Sequence, residues 1–131
     1  MKKQKIILQI VSLMLVFGGL VRLFANEVTF EIFGMKNLWV DHKYFIYIYK
    51  VLGAFVILTG LLIFTISRSI EKNLDVFNTM KWGLIIIGTT MTIAGYYVGL
   101  PLLFYAPDFV FCFAIAFYIH TNLNSGKIKK N

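Results

Sequence analysis

The chain has 131 residues, of which 59% are hydrophobic and only 15% charged, against roughly 25% charged in an ordinary globular protein. Thirteen Lys and Arg outnumber six Asp and Glu, giving a net charge of +7, and the mean hydropathy is +0.77. A soluble domain of this size has too much surface for its volume to hide that apolar content, so soluble enzymes, disulfide-stapled secreted domains and disordered tails are excluded.

On a soluble protein the basic balance would suggest nucleic acid. Here the lysines flank apolar runs, with Lys2, Lys3 and Lys5 before the first and Lys127, Lys129 and Lys130 after the last. Cations so placed act as topology signals and contact anionic headgroups. Membrane lipid, not nucleic acid, is the expected partner.

A membrane-crossing helix needs about 20 mostly apolar residues to cover about 30 Å. Four runs satisfy this in chain order: 6–24, 44–66, 82–100 and 102–120. The first has the basic start of a secretory signal, but Leu23 stands where a small residue is wanted and Arg22 interrupts the apolar end, so it reads as a retained helix. The loop over 25–43 mixes Phe30, Ile32, Phe33, Leu38, Trp39 and Val40 with Glu27, Glu31, Lys36 and Asp41. That amphiphilic mixture predicts a segment lying in the outer interface or capping the bundle. Residues 67–81, with Arg68, Glu71, Lys72 and Asp75, read as a polar cytoplasmic connector, and the short link at Pro101 makes the last two spans a hairpin.

Orientation follows from Lys and Arg. With both termini inside, the cytoplasmic side holds Lys2, Lys3, Lys5, Arg68, Lys72, Lys81, Lys127, Lys129 and Lys130, against Arg22, Lys36 and Lys43 opposite. The expected fold is therefore all-α: one integral membrane four-helix bundle, both termini cytoplasmic, in a bacterial-type cytoplasmic membrane.

Helices in lipid associate through small residues and polar contacts. In the third span Gly88, Thr92, Gly95 and Gly99 share one face, and Gly95 to Gly99 forms a GxxxG match. A neighbouring helix of the same chain is expected in that groove. The second span places Gly53, Ala54 and Ile57 around Lys50, and the first sets Gly18 and Gly19 beside Arg22. These sides are expected to face protein.

Ionisable groups within a span cost about 2.5–3.5 kcal/mol at its centre on insertion scales. Arg22, Lys50 and Asp108 are the three to account for, and the expected topology brings all of them to outer-leaflet depth. An ion pair or triad between Asp108 and Lys50 or Arg22 follows as an expectation. Arg22, so near its helix end, is expected to snorkel to the headgroups, while Lys50 divides evenly between snorkelling and inward pairing. Asp108 follows Pro107, a residue favoured in the first helical turn, which would place the carboxylate in a helix N-terminal dipole. Glu27, Glu31 and His42 could line the mouth of the resulting pocket, or serve as ordinary interface residues. Tyr96 and Tyr97 could donate hydrogen bonds into it, or belong to an aromatic belt.

Other chemistry is poorly supported. Cys112 has no second cysteine with which to form a disulfide or a zinc site. His42 and His120 fall at opposite membrane boundaries, unsuited to bis-histidine haem, and no phosphate loop, GxSxG elbow or HExxH pair occurs. No catalytic residue, metal or cofactor is expected. Small multidrug resistance exporters are similar in size, but their buried first-helix glutamate has no counterpart here. Thr89, Thr90 and Thr92 are the nearest approach to a polar channel stripe.

The GGLVRLF end of the first span, the glycine-spaced VLGAFVILTGLLIF and the APDFVFCF opening of the last together resemble small four-helix DoxX-like bacterial membrane proteins. The resemblance implies a fold, and for some relatives a link to quinone-dependent redox complexes. The expected role is an accessory or interaction subunit, or a binder of a small amphiphile near Arg22, Lys50 and Asp108, with a membrane protein or a second copy as partner. Competing readings are a small, dimeric proton-coupled transporter and a quinone-linked redox subunit.

Overall fold

The computed structural model describes residues 2–123, and Lys127, Lys129 and Lys130 lie outside the described residues. Every element is helical: α1 (Lys2–Leu23), α2 (Glu27–Ile32), a 3-10 turn (Lys36–Leu38), α3 (Lys43–Ser67), a second 3-10 turn (Ile70–Asn73), α4 (Leu74–Val98) and α5 (Leu102–Asn122). The chain divides into two compact units, Met1–Arg68 and Ser69–Asn131.

Among the described residues three helices are long and apolar enough to cross a membrane, namely α1, α3 and α5. They fit a membrane-spanning protein. In each, 17% of the most apolar stretch is buried within the protein, which leaves most of it open. The run at 82–100, expected as a fourth span, belongs to α4, which at 25 residues is long enough but is not one of the three. Its composition is the reason. Asp75, Lys81, four threonines and three glycines dilute Ile85, Ile86 and Ile87.

Unit one is an antiparallel hairpin of α1 and α3. Its buried positions are Leu8, Ser12 and Gly19 on α1, against Gly53, Gly60, Ile63 and Ser67 on α3. On α3 these recur at spacings of seven, three and four, the repeat that keeps one stripe facing a partner helix at a shallow crossing. Glycine brings the backbones together. A Cβ built on Gly19 would stand 2.7 Å from the Gly53 carbonyl oxygen, and one on Gly53 would stand 2.8 Å from the Gly19 oxygen. Further along, Ser12 Oγ donates to the Gly60 carbonyl at 2.8 Å in a buried contact.

Unit two is the α4–α5 hairpin. Gly88 receives Phe113 and Cys112, and Gly95 receives the ring of Tyr105. The order of these pairs makes the helices antiparallel. The turn between them is closed by Gly99, whose φ of 74° puts it in the left-handed region. Its N–H bonds the Tyr96 carbonyl, and the Leu100 N–H reaches back to Gly95, the closure of a Schellman-type C-cap.

One boundary departs from the sequence reading. Residues 74–81, expected as loop, are the first turns of α4, with Phe77 fully buried. Polar residues there mark the end of an apolar run, not the end of a helix. The last span starts at Leu102 as expected, with Pro101 as the N-cap of α5, so the alternative in which Pro107 opens the helix is set aside: Pro107 lies inside it.

Candidate functional site

Each charge within a candidate span is placed by its own helix. Arg22 lies in the last turn of α1 and is half-buried, with its stem against Gly53 of α3. Its Nη1 donates to the Gly18 carbonyl at 3.3 Å, one turn back toward the middle of the helix. Gly18 has no side chain to block its own carbonyl, and a cation in a last turn is favoured by the helix dipole.

Lys50 is seven residues into α3, roughly 10 Å from its start. It was expected to share a protein-facing side with Gly53 and Ala54. Gly53 is buried, but Lys50 and Ala54 are exposed. The reason is angular. The buried stripe passes through Gly53, Gly60 and Ser67, and at about 100° per residue Lys50 and Ala54 fall about 60° and about 100° to the same side of Gly53, off the stripe.

Asp108 is the seventh residue of α5 and is half-buried. With the helix starting at Leu102, the N-terminal dipole, which fades beyond the first turn, does not account for it. Pro107 lacks an N–H, which leaves the Leu103 carbonyl without its usual intrahelical donor.

The residues expected at a pocket mouth have local partners. Glu31 and Glu27 both pair with Lys36, at 3.2 and 3.9 Å, in exposed contacts. His42 is the N-cap of α3, where its Nδ1 accepts the Tyr44 N–H at 3.2 Å. Tyr96 and Tyr97 are strongly exposed at the end of α4, as an aromatic belt would be.

The four residues of the expected α4 groove separate by role. Gly88 and Gly95 admit side chains of α5, and Thr92 Oγ1 returns a hydrogen bond to the Gly88 carbonyl at 2.8 Å. Gly99 is corrected to a turn residue, with nothing within 4 Å of its Cβ position. A GxxxG spacing records only helical periodicity, and here its second glycine lies one step past the helix end.

Two features escaped sequence reasoning. Beside the Gly95–Tyr105 contact a cleft of about 340 Å³ opens between α4 and α5, lined by Thr92, Tyr96, Tyr97, Tyr105 and Phe109 among others. In unit one, Phe30 inserts among Trp39, Tyr49 and Phe45, with ring centroids 5.2, 5.3 and 6.3 Å away. The aromatic content of 25–43 was the available signal. Which ring turns inward depends on where α2 begins, and the Asn26–Thr29 capping box fixes that.

Comparison with protein families, curated proteins and solved structures gives no match. The candidate site therefore stands on these residues alone.

Proposed function

We propose that the chain is a small polytopic membrane protein that acts as an accessory or interaction subunit, without catalysis of its own. In this reading it is a four-helix bundle in a bacterial-type cytoplasmic membrane, with both termini cytoplasmic. The DoxX-like resemblance belongs to the same reading, at the level of fold. α4 completes the bundle, since small residues and threonines suit a helix that packs against others in lipid.

Lys50 carries the proposal. It is exposed, and within its own unit no hydrogen bond or ion pair engages it among the described residues. An ammonium on a lipid-accessible helix face is unfavourable by up to about 3 kcal/mol at the bilayer centre, so a carboxylate is its natural complement. That carboxylate is Asp108 of this chain or an acid on a membrane partner. The pairing of Asp108 with Lys50 or Arg22 rests on the depth of each residue along its own helix. A bound amphiphile with an anionic head would meet the same need.

The test is gentle purification of wild type, Lys50→Met and Asp108→Asn, identifying the polypeptide or lipid that copurifies. The expected result is loss of that companion from the variants with helix content retained. Unchanged companions in both would overturn the proposal. Proton flux in proteoliposomes that Asp108→Asn abolishes would make the protein a transporter instead.

A further inference from the structure

The short helix α2 is apolar on two opposite sides, and only one of them is used by the protein. Phe30 is 3% exposed and faces Trp39 and Tyr49. At about 100° per residue, Val28 and Ile32 lie about 160° from Phe30, and both are open, Ile32 at 77%. Phe33, the C-cap, is open as well. Water should not meet this face, because nothing on it is polar except Thr29, whose hydroxyl is turned into the capping box with Asn26.

The acids of α2 occupy a separate face. Glu27 and Glu31 are held by Lys36, so the charges of the segment are gathered to one side and largely offset locally. The helix that precedes α2 carries an exposed apolar row of its own. Leu13, Phe17, Leu20 and Phe24 are all exposed at spacings of four, three and four, a single row along a helix apolar enough to span a membrane. Phe24 ends that row four residues before Val28.

We infer that α2 lies in the headgroup–acyl boundary, at the membrane face where α1 ends and α3 begins, with Val28, Ile32 and Phe33 immersed in lipid and the Glu27–Glu31–Lys36 group turned to the headgroups and water. The partner is the bilayer surface. An apolar face of this kind with charges gathered on a neighbouring flank fits an interfacial helix, here pinned to the protein through Phe30 on the opposite side. The inference rests on the reading that α1 and α3 cross the membrane. It adds that the connection between them is an embedded collar, not a loop in water.

The test uses the full chain with Cys112→Ser, reconstituted in phosphatidylcholine–phosphatidylglycerol vesicles and labelled with an environment-sensitive fluorophore at single cysteines. Ile32→Cys and Val28→Cys report on the proposed face, Asn37→Cys on the water side, and Phe17→Cys on the span. The expected result is several-fold stronger quenching at positions 28 and 32 than at 37 by lipid spin-labelled near the glycerol, with iodide quenching reversed in order. Iodide access at 28 and 32 equal to that at 37, with position 17 still quenched by lipid, would overturn the collar and leave the span reading intact. Loss of lipid quenching at 17 would overturn both. Two reporter positions on the face keep the result readable if one variant fails to fold.

Discussion

Ser12 and Gly60, forty-eight residues apart, are joined by a buried 2.8 Å hydrogen bond from the serine hydroxyl to the glycine carbonyl. The bond is possible because Gly60 has no side chain: a Cβ there would meet the Ser12 carbonyl at 2.9 Å and Val16 at 2.8 Å. Ser12→Ala removes only the hydroxyl, and hydrogen bonds between helices in membranes average about 0.6 kcal/mol, reaching about 2. Gly60→Ala should be the more damaging change, since it separates the backbones. Unfolding of both variants in mixed micelles, monitored by circular dichroism, gives the order.

The crossing at Gly19 and Gly53 predicts a sharp contrast between adjacent glycines. Gly19→Ala would place a Cβ 2.6 Å from Ile57 and 2.7 Å from a backbone oxygen, and overpacking of this kind costs about 1–3 kcal/mol. Gly18→Ala meets only Arg22 Nη1, at 3.5 Å, and should gain up to about 1 kcal/mol of helix propensity. If the two variants unfold alike, the α1–α3 crossing is misassigned.

Gly99→Ala tests backbone conformation alone. No atom lies near its Cβ position, yet φ is 74°, where an L side chain costs about 1–2 kcal/mol. Gly99→Asn should lose less, because asparagine tolerates that region. The same denaturation assay applied to glycine, asparagine and alanine at this position should give that order of stability.

Phe30→Ala removes the ring at the centre of the aromatic cluster, a truncation that typically costs about 3–5 kcal/mol in a core. Its effect should be local. Protease should cut within 25–43 faster than in wild type, while the α1–α3 contact at Gly19 and Gly53 persists, as disulfide trapping of cysteines placed along that contact would report.

Much of this protein could be read from residue order, because apolar length and glycine spacing are local properties and lipid rewards them directly. The extents of α1, α3 and α5 follow from that, as does the presence of close-packing glycines. Other features depended on neighbours. Gly53 and Ala54 look alike in sequence, and only the line of contact with α1 buries one and exposes the other. Arg22 was free to turn either way until Gly18 left its carbonyl open. Asp108 changed meaning once α5 was found to start at Leu102, and Gly99 once α4 was found to stop at Val98. The inward turn of Phe30 was likewise decided by packing against Trp39 and Tyr49. Periodicity says which residues can share a face, but the partner that covers the face is a contact between distant parts of the chain, and distance along the sequence carries no record of it.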